Sequence, residues 1–115
     1  MSNLFQERHV IKFNVMYPFT PGMRFDHDYY RDKHMPMLAQ RLGHACRYYT
    51  VDKGVAGGAP GAPLPFAAAC SVYADSLEAL QAAMNPHVQE ILGDIPNYTD
   101  AKPVIWISDV VVERS

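Results

Sequence analysis

With 115 residues the chain has room for one compact domain, because domains commonly run to ~100 to 150 residues. Hydrophobic residues make up 49% and charged residues 19%, with a net charge of -2, which excludes an intrinsically disordered chain. Ten Lys and Arg are scattered among twelve Asp and Glu without forming a basic stripe, so no nucleic acid partner is expected. No apolar run approaches the ~18 to 20 residues that span a bilayer. Met1 to Val10 (MSNLFQERHV) carries charges where a secretory leader needs an apolar stretch, so the expected compartment is cytoplasmic, with no membrane partner. Cys46 and Cys70 are too few for a disulfide framework or a four-cysteine zinc site and read as small buried apolar side chains.

His9 to Tyr17 alternates around Ile11, Phe13, Val15 and Tyr17, which predicts a first strand with four large apolar side chains on one face. Pro18, Pro21 and Gly22 break it, and Asp26 or Asp28 offers a side-chain oxygen to open a helix running to about Leu42. At ~100° per residue, Tyr30, His34, Met37, Leu38 and Arg41 form the inward stripe of that helix, with His27 on the same side. Pro36 lacks the N–H owed to the Asp32 carbonyl and biases Met35 away from helical angles, predicting a kink or restart one turn past His34. Gly43 then ends the helix.

His44 to Lys53 reads as the second strand from Tyr48, Tyr49, Thr50 and Val51. Seven of the twelve residues from Gly54 to Pro65 are glycine or proline, a composition that forms a long hairpin loop rather than a ladder. Phe66 to Tyr73, apolar and alanine-rich, is a central third strand. Asp75 with Glu78 resembles a capping pair for a second helix carrying Leu77, Leu80, Met84, Val88 and Ile91 at helical spacing, which Pro86 divides in two. Gly93 to Ala101 reads as turn and Pro103 to Glu113 as a long closing strand.

The order βαββαβ, with right-handed crossovers, places both helices on one face of a four-stranded antiparallel sheet: an α+β, ferredoxin-like domain spanning residues 1–115, its core at about 9–113. Val104, Trp106, Val110 and Val112 alternate with Ile105, Ile107 and Val111. A strand apolar on both parities needs both faces covered, and packing sheet against sheet in a homodimer does this.

No phosphate loop, dinucleotide fingerprint, nucleophile elbow or HExxH motif is present. His34 is the first candidate for chemistry, an imidazole that titrates near neutral pH in the middle of an inward stripe. Its alternative reading is a core histidine satisfied by a carbonyl such as that of Asp32. Tyr30, one turn earlier, is placed to orient the imidazole or a substrate oxygen. His27, His44 and His87 are not spaced as metal ligands, so no metal and no cofactor is expected. Lys12 and Asn14 line a polar patch of pocket or interface, or reach solvent at the strand end. Trp106 supplies a flat apolar wall, as does Tyr48 or Tyr49.

Three segments, FDHDYYRDKHMPML (Phe25 to Leu38), TVDKGVAGGAPGAP (Thr50 to Pro63) and IPNYTDAKPVIWISDVVV (Ile95 to Val112), resemble the EthD family, named for ethyl tert-butyl ether degradation. The similarity covers roughly Val10 to Val112 and implies a dimeric α+β barrel. The family is associated with fuel-ether degradation beside a cytochrome monooxygenase system and loosely with oxidoreductase activity. Its wider superfamily includes muconolactone isomerases, polyketide cyclases, cofactor-free oxygenases and haem-binding members, among which fold alone does not choose. What the resemblance carries onto this chain is His34 in its HMP setting, with Tyr30 and Arg31 beside it.

The expected function is therefore small-molecule catabolism without a metal, by acid-base chemistry or cofactor-independent oxidation of a small aromatic, lactone or ether-derived metabolite. His34 and Tyr30 would be catalytic, and Trp106, Met37 and Arg31 would contact substrate. The alternatives are a non-catalytic small-molecule-binding or accessory protein of a monooxygenase system, and a haem-binding barrel.

Overall fold

A computed structural model describes residues 9–114. The reading of Met1 to Val10 as unlike a leader lies, up to Arg8, outside them. Strands β1 (Ile11–Pro18), β2 (Tyr48–Lys53), β3 (Phe66–Ala74) and β4 (Val104–Asp109) form an antiparallel sheet in the order β2-β3-β1-β4, the expected ferredoxin-like topology. Val15 of β1 stands opposite Cys70 of β3 and Ile105 of β4, and Phe13 opposite Val72 and Ile107. Directly opposed residues share a face, so these rows line the side that packs against the helices. β2 begins at Tyr48 rather than His44, because Gly43–Ala45 forms a 3₁₀ turn. The glycine and proline segment joins β2 to β3 as the expected hairpin connection.

The first helical segment opens where Asp26 accepts a hydrogen bond from the Tyr29 amide at 3.0 Å. It runs as α1 (His27–Tyr29), a π-helical turn (Tyr30–His34) and α2 (Met35–Leu42), ending at Gly43 with φ +57°, a backbone angle that glycine adopts without steric cost. The irregularity lies a turn earlier than the kink or restart expected past His34: the π turn ends at His34, and α2 runs unbroken beyond it. The Met35 amide bonds to the Tyr30 carbonyl, five residues back, immediately before Pro36. Met35 itself stays helical, at φ -67° and ψ -41°, so the wider turn rather than an extended Met35 accommodates the proline.

The extra residue in the π turn also rotates the helix beyond it. Tyr30, His34, Met35, Leu38 and Leu42 are buried, whereas Met37 and Arg41, both expected on the inward stripe, sit half-buried at its edges.

α3 (Leu77–Met84) is capped by Ser76, whose hydroxyl accepts from the Ala79 amide at 3.2 Å. Asp75, expected as the cap, instead pairs with Arg47 at 3.0 Å. Pro86 divides the second helical segment as expected, with a 3₁₀ turn (Asn85–His87) leading into α4 (Val88–Asp94). α4 and a further 3₁₀ turn (Ile95–Asn97) occupy most of the segment read as irregular turn. That extension carries Asp94 onto a helix, and it decides the chemistry of the site.

The core joins β1 and β3 to the helices through Val15, Val72, Leu38, Leu42, Leu80 and Ile91. β4 lies at the sheet edge and is shorter than expected, since Val110 to Arg114 are not strand. Val104, Ile105, Trp106 and Ile107 are each 40 to 49% exposed on it. Asn14, on the far face beside Trp106, is buried and donates to the Lys12 carbonyl and the Ser108 hydroxyl, both at 3.1 Å. No helix among the described residues is long and apolar enough to cross a membrane.

Candidate functional site

Between the helices and the sheet lies a cavity of about 220 Å³. Its floor is Phe13, Val15, Cys70 and Ile105, and its roof includes Leu38, Val88 and Ile91. Tyr17, Tyr30 and His34 contribute rings to one end. Leu92 and Ile105, both nearly half exposed, mark where it approaches the surface beside β4.

His34 is 3% exposed. Its Nδ1 lies 2.9 Å from Oδ2 of Asp94, sixty residues further along the chain. The other carboxylate oxygen, Oδ1, accepts from the Tyr29 hydroxyl at 2.7 Å and from the Asn97 amide at 2.9 Å. Burial opposes ionisation of Asp94, but the hydrogen bonds from Tyr29, Asn97 and His34 outweigh it and hold the carboxyl below its ordinary value. Burial also lowers the His34 pKa, and the attraction of Asp94 only partly offsets it. Both directions favour one state, a neutral imidazole donating Nδ1–H to an ionised carboxylate. Nε2 then carries the lone pair. It has no hydrogen-bond partner among the described residues, and the cavity is the space His34 borders.

The ring is clamped as well as tethered. Tyr30 stacks on it at 5.6 Å between centroids and 16° between planes, and Tyr98 lies 4.7 Å away at 55°. Tyr17 and Phe25 pack edge-on against Tyr30. Tyr17 and Tyr98 share a hydroxyl–hydroxyl hydrogen bond, and burial pushes the Tyr17 phenol up to about 12. The Tyr30 hydroxyl is enclosed without a partner, and burial drives its pKa well above the ordinary phenol range. Burial likewise raises the Cys70 thiol to about 11, so it stays protonated and inert as a nucleophile. Cys46 is free and half-buried rather than fully buried.

The structure thus brings His34 and Tyr30 together at the cavity, with Tyr30 against the imidazole face rather than bonded to its nitrogen. The tether at Nδ1 is Asp94, not the Asp32 carbonyl. The other sequence-derived contacts lie elsewhere. Trp106 stands opposite Asn14, and therefore projects from the face opposite to the cavity. Met37, turned by the π bulge, lines an outer cleft with Lys33, Tyr29 and Asp94. Arg31 is exposed and pairs with Asp32 at 2.7 Å. Asp94, Tyr29, Asn97 and Tyr98 were missed. Asp94 and Asn97 carried a faint signal, their three-residue spacing, which suits mutual hydrogen bonding on a helical turn. Among the described residues no group of three His, Cys, Asp or Glu is arranged to hold a metal ion.

The fold and site together define a ferredoxin-like α+β domain with an apolar cavity between helices and sheet and one tethered histidine at its wall. The EthD domain matches residues 23–102. An EthD-like protein from Ralstonia eutropha JMP134 is 62% identical over 94% of this chain and 97% of its own, with a TM-score of 0.88. The chain belongs to the EthD family. An EthD family protein from Bacillus halodurans C-125 aligns at 21% identity over 86% of this chain and 96% of that one, TM-score 0.64. A dimeric ferredoxin-like protein of unknown function from Thermobifida fusca shares the fold at 14% identity, over 94% of this chain and 97% of that one, TM-score 0.56. No curated protein matches the chain.

Proposed function

We propose that this EthD-family protein acts on a small, largely apolar metabolite by proton transfer at Nε2 of His34. The supporting observation is the Asp94 tether. A carboxylate on Nδ1 holds one tautomer, leaves Nε2 as a base, and stabilises the imidazolium that forms when Nε2 takes a proton. Asp94 is the orienting group, and Tyr30 and Tyr98 fix the ring plane. Returning the proton to a different atom of the same molecule gives isomerisation, cyclisation or elimination with no other participant. General acid-base action of this kind is worth ~10² to 10⁴-fold, so His34→Asn lowers turnover on that scale while leaving the fold intact. Turnover that survives the substitution refutes the role. Saturable binding with no product formed by the purified protein would instead make it a binding or accessory module.

The working form in this proposal is a homodimer. β4 is an edge strand with four consecutive apolar side chains 40 to 49% exposed, a surface that soluble proteins cover. The Thermobifida fusca relative in fold is described as dimeric. Burial of ~800 Å² per partner suffices for a stable pair, and light scattering after size exclusion reads the mass directly.

A further inference from the structure

We infer that the cavity selects an uncharged, single-ring compound that presents one hydrogen-bond donor, a phenol-type O–H, to Nε2 of His34. The inference rests on the reading of the cavity as a small-molecule site and adds the class of molecule it takes.

Size sets the first limit. An apolar cavity of ~150 Å³ holds benzene, so about 220 Å³ admits one ring with one or two small substituents. Charge sets the second. No Lys, Arg, Asp or Glu is among the described residues that line the cavity, so a carboxylate or ammonium there would shed its hydration without a counter-charge, at heavy cost.

The third limit is hydrogen-bond polarity. Of the polar atoms at the walls, the Tyr17 hydroxyl is engaged with Tyr98, the Tyr30 hydroxyl is enclosed and shut off from open space, and the Cys70 thiol is a weak partner. That leaves Nε2. Because Nδ1 faces the Asp94 carboxylate at 2.9 Å, the proton sits on Nδ1, and Nε2 accepts rather than donates. An ether or ester oxygen placed there sets acceptor against acceptor. A hydroxyl satisfies it and lies ready to lose its proton to it.

The test is calorimetric titration of the intact protein with p-cresol, 4-methylanisole, toluene and 4-methylbenzoate. p-Cresol is expected to bind about tenfold or more tighter than methylanisole and toluene, the margin for satisfying a buried acceptor, with methylbenzoate weakest. In His34→Phe that margin disappears while toluene still binds. Should the variant not fold, the ¹⁵N resonance of Nε2 in the unaltered protein serves instead: it shifts with p-cresol and stays put with methylanisole. Equal affinities for cresol, methylanisole and toluene overturn the donor requirement while leaving a small-molecule site. Tightest binding of methylbenzoate overturns the exclusion of charge. If not even toluene binds, the reading of the cavity as a binding site fails, and this inference with it.

Discussion

Asp94→Asn probes the site with the least change in shape. The carboxylate accepts three hydrogen bonds, from His34, Tyr29 and Asn97, but an amide has one oxygen to offer and two N–H donors. If the oxygen stays with Tyr29 and Asn97, the new NH₂ faces Nδ1 of His34. The imidazole can resolve the clash by moving its proton to Nε2, whereas the Asn97 amide cannot become an acceptor without turning over. The expected result is therefore a tautomer switch. The nitrogen facing the cavity becomes a donor, and base catalysis is lost at ~10² to 10⁴-fold. Hydrogen bonds to a charged group are worth ~1.5 to 3 kcal/mol against ~0.5 to 1.5 for neutral ones, and Asp94 is 18% exposed, so the change costs roughly 1 to 3 kcal/mol. In a domain of this size that lowers Tm by roughly 5 to 15 °C. Long-range ¹H–¹⁵N correlation spectra of the imidazole assign the protonated nitrogen in both proteins. A proton that stays on Nδ1 after the substitution, or that sits on Nε2 before it, refutes the claim that Asp94 sets the tautomer.

Acid should weaken the fold through His34. Its folded pKa lies below the ordinary value of 6.5, so between the two the unfolded chain binds a proton that the native state refuses, and stability falls as pH drops below about 6.5. Urea midpoints at pH 7.5 and 5.5 read this, and the difference should shrink in His34→Phe. Tyr29→Phe removes one donor to Asp94 and weakens the grip on the carboxylate; the titration of Asp94, followed by carboxyl ¹³C shifts, should move to higher pH, and an unmoved curve would show the hydroxyl to be incidental. Trp106→Glu puts a charge on the proposed sheet-to-sheet interface, so light scattering should report monomer. Because Trp106 is the only tryptophan in the chain, its emission in the unaltered protein should shift to the red on dilution through the dissociation range.

Strand order and helix placement were legible because they rest on local periodicity. Ile11, Phe13, Val15 and Tyr17 alternate, and Gly43 and Pro86 stop or divide helices for steric reasons that no tertiary contact overrides. The inward turn of His34 was legible on the same ground. What failed was register beyond a defect. A single π turn adds one residue to the helical repeat, and with it Met37 and Arg41 give up the core to Met35 and Leu42. Trp106 shows the complementary limit in the sheet. β4 is apolar on both parities, so composition cannot say which face meets the cavity; the pairing of Asn14 with Trp106 and of Val15 with Ile105 decides it.

Asp94 was hidden for a different reason. Gly93 and Pro96 flank it, and such neighbours argue for a turn. Yet Gly93 lies within α4, and Pro96 sits in the first turn of the 3₁₀ segment, where its missing N–H costs little. Helical geometry therefore persists long enough to aim a carboxylate at an imidazole sixty positions earlier. Nothing in either segment alone specifies that meeting, which arises from packing α4 beside the π turn over one sheet. The π turn that misaligned the predicted stripe also provides His34 with its place at the end of the widened coil, next to Tyr30. The local irregularity thus holds two residues of the proposed site, Tyr30 and His34, and π bulges are frequent at functional sites. Restoring a plain α-helix by deleting Lys33 should carry His34 off the Asp94 carboxylate while the sheet still forms. A crystal structure of that variant with the 2.9 Å contact intact would separate the bulge from the function.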